Sequence, residues 1–331
     1  MKKSNKVKVI ILFMITMLLT LTSCKGEVEE TIIDDKEVKE VSVVVPNGVP
    51  ATAISKLIKE NIQVDNKHII NYSIENTADT LATAVMKGEP DIAIVPSNIA
   101  AQAYNKGLGY KLVGTTGFGA LYLISTEGEI NFNDIKGKEI YNIANGLTPD
   151  IVFKALLKQN GILNDVTLSY VGGATELAPA ILSGKAKYAV VPEPALTTIL
   201  SKKPNISIVA SLNDLWKEQF NSEKGFPQAS IIVKEEIIAN DKDFLEKFIT
   251  KVDESVKWVN DNNKEAAQYS VENGSQVETS ITEKSIKNSN ISFSKAKDNK
   301  EDYIDYFKVL ESENSKSIGE KVPDEKFFYE G

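Results

Sequence analysis

The chain has 331 residues, of which 42% are hydrophobic and 25% charged, and a formal charge of −8 at pH 7. An acidic balance argues against nucleic acid as a partner, since that needs a basic face. There is no arginine, one histidine (His68) and one cysteine (Cys24). This excludes a bidentate guanidinium clamp, a disulfide framework and a zinc site of the ordinary His/Cys kind.

Lys2, Lys3, Lys6 and Lys8 form a basic start, and Val9 to Leu21 is an almost unbroken apolar run. The run is short for a membrane span, which takes about 20 residues, and fits the apolar region of a secretory signal. It ends in Leu21-Thr22-Ser23-Cys24, which resembles the lipobox of bacterial lipoproteins. That resemblance implies a signal peptide over residues 1–23, cleavage before Cys24 and acylation of its sulfur. An uncleaved anchor helix is the alternative. Residues 24–40 are rich in Glu and Asp and poor in large apolar groups. They cannot bury enough surface to fold, so they read as a flexible acidic tether, with a reach of ~20 Å. Without the four signal lysines the charge is −12.

The body contains one unit twice. Leu81 to Ala100 reads LATAVMKGEPDIAIVPSNIA and Leu177 to Leu196 reads LAPAILSGKAKYAVVPEPAL, with seven of twenty positions identical at a constant offset of 96. Asn47-Gly48-Val49-Pro50 and Asn145-Gly146-Leu147-Thr148-Pro149 are an upstream echo. In the first copy Val41 to Val45 is a β-branched run, hence a buried strand. Pro50 suits a helix start, and Ile54, Leu57 and Ile58 form its apolar face. Asn71 to Glu75 alternates like a strand. Thr77 or Asp79 caps the next helix, Gly88 ends it, and Ile92 to Val95 is a buried strand stopped by Pro96. His68, in Asp65-Asn66-Lys67-His68-Ile69-Ile70, reads as a structural residue at the start of a strand rather than a triad member. The second copy repeats the order: strand Glu139 to Ala144, helix from Pro149 to near Gly161, strand Thr167 to Val171, helix from Thr175 to Gly184, strand Tyr188 to Val191.

Each copy is β-α-β-α-β, which makes a mostly parallel sheet with helices on both faces. Two such lobes leave a cleft lined by strand C-termini and helix N-termini, the edge that ligands favour. Gly119 to Thr126 and Gln228 to Lys234 are predicted to cross between the lobes as a hinge. From Asp241 onward, Phe244, Phe248, Val252, Val256 and Val259 fall at helical spacing, a stripe expected to pack on the first lobe. Trp258 reads as packing. Phe327, Phe328 and Tyr329 are either a docked end or a frayed one. The predicted division is residues 41–123 with 228–331 as lobe one and 124–227 as lobe two.

Together, the lipobox, the β-loop-Pro-helix start, GEPDIAIVP, Asn133-Asp134-Ile135-Lys136-Gly137-Lys138 and GKAKYAVVPEPA resemble a known family. The body is similar, over Val41 to Lys234, to solute-binding proteins of ABC importers in the nitrate, sulfonate, taurine and thiamine-pyrimidine group. The resemblance implies an α/β, two-lobed periplasmic-binding-protein type II fold with a C-terminal helical segment packed on lobe one. It implies capture of a small organic solute between the lobes and delivery to permease and ATPase subunits. The protein is expected to be a monomer, lipid-anchored on the extracytoplasmic face of the cell membrane. It is expected to need no cofactor or metal and to catalyse nothing.

Equivalent loops of the two copies should face each other across the cleft. The candidate ligand-binding residues are Asn47, Gly48, Thr77, Ser97, Asn98, Phe118, Asn145, Thr148, Gly173, Thr175, Glu193 and Phe226. Helix N-termini offer free N–H groups to an anion, while the Thr, Ser and Asn side chains could equally be caps. Glu193 is either a cap or a cleft carboxylate. In the cleft it would disfavour a sulfonate or nitrate and favour a ligand with N–H donors or a cation. Phe118, Tyr122 and Phe226 flank the crossings and could stack a planar ligand or simply pack. The rival functions are an enzyme on the same fold, acting on pyrimidine or chorismate derivatives, and a sensory lipoprotein.

Overall fold

The computed structural model describes residues 38–331. The expected signal peptide, Cys24 and most of the expected acidic tether lie outside the described residues.

β1 (Lys39–Pro46) opens the body as a run of valines whose inward positions, Val41, Val43 and Val45, are buried. Gly48, at φ 100°, turns the chain, and Pro50 sits in the first turn of helix α1 (Val49–Ala53). Helix α2 (Ser55–Lys59), strand β2 (His68–Glu75), helix α3 (Ala78–Met86), strand β3 (Ile92–Pro96) and helix α4 (Ser97–Asn105) follow. β4 (Tyr110–Phe118) then runs to the edge of this lobe, and β5 (Leu121–Ser125) begins the next.

The second lobe repeats the motif with β6 (Glu139–Ile143), α5 (Thr148–Gln159), β7 (Thr167–Val171), α6 (Ala174–Leu182) and β8 (Tyr188–Pro192). It adds α7 (Ala195–Lys202), β9 (Ser207–Ser211) and α8 (Leu212–Phe220). β10 (Pro227–Lys234) returns to the first lobe, followed by α9 (Glu235–Asn240), α10 (Lys242–Asp261), α11 (Asn263–Glu272), α12 (Thr279–Ile286), β11 (Ile291–Lys295) and α13 (Lys300–Asn314).

The two sheets have orders β11-β4-β10-β3-β1-β2 and β7-β6-β8-β5-β9. Their cores correspond. β1 lies between β2 and β3, all parallel, with Val43 opposite Ile92. β6 lies between β7 and β8, all parallel, with Ile140 opposite Tyr188. Ile92 and Tyr188 are separated by the offset of the sequence repeat. Next to each parallel trio lies an antiparallel strand that has come from the other lobe: β10 beside β3, and β5 beside β8. The sheets are therefore mixed, with a parallel core, because a crossing strand enters its new sheet reversed.

The crossing segments are shorter than expected. Most of Gly119 to Thr126 is β5 inside the second sheet, and Gln228 to Lys234 is β10 inside the first. The chain passes between the sheets only through Gly119-Ala120 on the way out and residues 221–226 on the way back. Gly119 N–H donates to Phe226 O at 3.0 Å, and lies 3.2 Å from Asn213 Oδ1. A Cβ on Gly119 would fall 2.0 Å from the Phe226 ring, so this position admits only glycine without rearrangement.

The stripe Phe244, Phe248, Val252, Val256 and Val259 on α10 is buried against the first sheet. α13 does more than the expected segment, for it touches both lobes. Tyr303 Oη lies 2.8 Å from Ser230 Oγ in the first sheet. Tyr306 stacks on Phe226, centroids 5.8 Å apart, and meets Trp216 of α8 edge-on. Asn314 Nδ2 donates to Gly146 O at 2.9 Å. The chain end is docked, since Phe327 and Phe328 are buried and Phe328 bridges to Leu112.

His68 is structural. Its Nδ1 lies 3.0 Å from Asp65 Oδ1, its Nε2 lies 3.3 Å from Asp241 Oδ1, and its ring packs 4.2 Å from that of Phe244. Asp91 ties three strands together. It accepts from Ser42 N–H at 2.9 Å, Ser42 Oγ at 2.8 Å and Lys234 Nζ at 3.1 Å. Burial would raise the Asp91 pKa, but these donors hold it below the usual 3.8. A depressed carboxylate contributes stability above its unfolded pKa and loses it as pH falls through the folded one. Asp91→Asn should therefore cost about 1–3 kcal/mol near neutrality, with the gap to wild type closing as pH falls below 3.8 in urea denaturation. Gly119→Ala should cost about 1–3 kcal/mol at any pH by overpacking, read from the same curves.

Candidate functional site

A cavity of about 530 Å³ lies between the lobes. It is bounded by the C-terminal ends of the parallel strands and by the hinge. From the first lobe come Asn47, Gly48, Asp79, Asn98, Gln102 and Phe118; from the second come Thr148 and Glu193. Ala120 and Gln228 form the floor at the hinge, where Gln228 Oε1 accepts from Ala120 N–H at 2.9 Å.

Six of the twelve expected residues line this cavity: Asn47, Gly48, Asn98, Phe118, Thr148 and Glu193. Asn47 Oδ1 accepts from Gly48 N–H at 2.8 Å and its Nδ2 donates to Asn76, which fixes the loop. Thr148 Oγ1 lies 3.1 Å from Tyr306 Oη, so α13 holds this side chain from behind. Phe118 is 2% exposed, with Lys224 Nζ 5.9 Å from its ring. Asn98 is 7% exposed. Its amide has no hydrogen-bond partner among the described residues, and it borders the cavity.

Glu193 caps α7, accepting from Thr197 N–H at 3.1 Å and Thr197 Oγ1 at 2.8 Å, and the residue borders the cavity. Burial raises its pKa, against the opposing hydrogen bonds from Thr197 and Asn288.

The other six are not in the lining. Thr77 is exposed and caps α3, accepting from Thr80 N–H at 3.1 Å. Ser97 turns into the sheet, with Oγ 2.7 Å from both Pro227 O and Ser230 Oγ. Asn145 is exposed, and Gly146 beside it is held by Asp150 at 2.8 Å and by Asn314, while Ala144 and Leu147 of the same loop, and Thr148 after it, line the cavity. Gly173 and Thr175 stand at the start of α6, outside the cavity, with Thr175 exposed. Phe226 is fully buried in hinge packing with Trp216 and Tyr306.

Gln102 and Gln228 are cavity residues that the sequence reading did not single out. Gln102 lies four residues after Asn98 on α4, so helical spacing places both on one face. Its Nε2 is held by Ser317 O at 2.7 Å. Gln228 had no such signal, since only the strand exchange brings it under the cavity. Among the described residues no group of His, Cys, Asp and Glu is placed to hold a metal ion, and no helix is long and apolar enough to cross a membrane.

Ser97 separates cap from contact. Ser97→Ala should lower stability by about 1 kcal/mol through the Pro227 and Ser230 bonds, while the affinity of any solute bound in the cavity changes less than about twofold. Thermal denaturation and titration calorimetry on the same preparation check both.

No curated protein matches this sequence. Among solved structures, an ABC transporter protein from Parabacteroides distasonis superposes with a TM-score of 0.77 at 27% identity, covering 89% of this chain and 99% of that one. The periplasmic aliphatic sulphonate binding protein SsuA of Escherichia coli has the same fold, with a TM-score of 0.69 at 12% identity over 88% of this chain and 94% of that one. The periplasmic nitrate-binding protein NrtA of Synechocystis follows at 0.53 and 12%, over 76% of this chain and 69% of that one. The family described as NMT1/THI5 like matches residues 59–266. With a two-lobed periplasmic-binding-protein type II fold and that match over more than half its length, the chain belongs to the NMT1/THI5-like family.

Proposed function

We propose that this protein is the solute-binding component of an ABC importer, held on the extracytoplasmic face of the membrane by a lipid on Cys24. The cavity between two lobes joined by a two-segment hinge is the observation that supports this reading most. Its volume of about 530 Å³ suits a small organic molecule, within the usual range of ligand sites. Its walls come from both lobes, with Asn98 on one and Glu193 on the other. A solute touching both favours the closed arrangement by its differential affinity for it. In this scheme residues 38–118 with 227–331 move as one body and 121–220 as the other, since β5 belongs wholly to the second sheet and β10 to the first. The closed form is what permease and ATPase subunits would recognise, and the protein works as a monomer.

Binding without chemistry is also consistent with the cavity lining. The chain's one histidine, His68, begins β2, whereas the cavity lies at the other ends of the parallel strands. General acid–base chemistry would fall to Glu193 and Asp79 alone.

The test is a thermal-shift screen of the purified protein against small solutes, with each hit recovered and analysed. A saturating solute at about 100 times its Kd should add about 2.7 kcal/mol of stability and be recovered unchanged. Turnover of a hit would overturn the binding reading in favour of an enzyme. The anchor is tested by intact mass of the membrane-extracted protein, which should start at Cys24 and carry acyl chains. A soluble product from Cys24→Ser, still exported, is the matching expectation.

A further inference from the structure

We propose that the cavity between the lobes selects a small solute presenting N–H donors or a positive charge on a compact apolar body, and rejects sulfonate, nitrate and other anions. This rests on the reading of the chain as a solute-binding protein and names the chemical class of that solute.

The charge of the lining is the first argument. Among the described residues only Asp79 and Glu193 line the cavity with charge, and both are acidic. No lysine lines it, and the chain has no arginine. An anion would enter a site with two carboxylates and no side-chain cation to offset the loss of its hydration.

Helix N-termini are the other way to hold an anion, and here most are already occupied. The start of α7 is taken by Glu193, which accepts from Thr197. Ahead of α5, Gly146 N–H donates to Asp150. Asp79 stands in the first turn of α3. A carboxylate at a helix start offsets the partial positive charge there, so these ends offer little field to a second anion. α4 has no acidic residue in its first turn, and there the unpartnered Asn98 amide borders the cavity. The start of the five-residue α1, Gly48 to Pro50, also borders the cavity without an acidic residue, and these ends, in a cavity lined by two acidic residues, suit a neutral acceptor on the solute rather than a full negative charge.

The unused hydrogen-bonding capacity points the same way. A carboxylate offers about four acceptor sites; at Glu193 Thr197 fills two and Asn288 is a further donor, which leaves room for one more. Gln102 commits its Nε2 to Ser317 O, which leaves its oxygen free to accept. Burial raises the Glu193 pKa, so a donor or cation brought against it relieves an existing cost. Val49, Ile99, Phe118, Leu147 and Pro194 supply the apolar walls for the body of the solute.

The experiment is titration calorimetry with scanning fluorimetry on wild type and Glu193→Gln. The donor probes are benzamidine, 4-aminopyridine and phenethylammonium, and the anion probes are benzenesulfonate, ethanesulfonate and nitrate. At least one donor probe should bind wild type, and no anion should bind as tightly. Gln can still accept from Thr197 N–H, so the variant should fold, with donor affinity down by about tenfold or more. Should it not fold, Asp79→Asn at the exposed mouth serves instead, with a loss of about two- to threefold that fades at high salt. Tighter binding of sulfonate or nitrate overturns the assigned class, as does silence of every donor probe. So does donor affinity that Glu193→Gln leaves within about twofold. Reversible anion binding would leave solute capture standing, whereas chemical conversion of a bound probe would overturn solute capture itself.

Discussion

Gly119 lies against the ring of Phe226, with its N–H bonded to the Phe226 carbonyl at 3.0 Å. At this point the chain leaves one sheet for the other, and nearby it returns. The rest of the molecule depends on that contact. Because β5 and β10 exchange lobes, each parallel trio gains an antiparallel neighbour grown from the opposite side. The same exchange builds the cavity floor, since Phe118, Ala120, Gln228 and Ala229 all adjoin the two crossings. Two short segments join the lobes, and the Trp216–Phe226–Tyr306 cluster packs beside them.

A second constraint is electrostatic. In a chain without arginine, helix starts are the obvious place for an anion, yet several here hold the protein's own carboxylates. Glu193 and Asp150 each complete a local hydrogen-bond set, with Thr197 in one case and with Gly146, Lys154 and Tyr170 in the other. Local folding and the charge of the cavity lining are thus linked, since the residue that caps α7 also borders the cavity.

The two copies have kept their strand register and parted at their loops. Gly48 and Gly146 both adopt positive φ, 100° and 76°, so the backbone turn is shared. Their surroundings are not. Both loops border the cavity, but Asn47 lines it whereas Asn145 does not, and Gly146 is held by Asp150 and by Asn314 of the C-terminal helix. A segment late in the chain, outside the repeat, therefore breaks the symmetry that the repeat establishes.

Sequence alone determined the elements of the two β-α-β-α-β copies and their order. β-branched runs such as Val43 to Val45, prolines at 50 and 149, and the stripe from Phe244 to Val259 report local preferences and one buried face, and both are written in short windows. The 96-residue offset foretold paired lobes, because equal spacing of like elements builds like sheets. Six of twelve candidate residues, Asn98 and Glu193 among them, could be placed from the strand ends of the repeat. The tertiary structure alone decided which loops face the cavity, that Ser97 turns into the sheet, and that Phe226 packs the hinge. It also decided that Gln228 lies under the cavity. These outcomes depend on contacts between residues more than a hundred positions apart, such as Ser97 with Pro227 and Asn314 with Gly146. No local pattern encodes such pairs, because periodicity records which face of an element is buried and not what is buried against it.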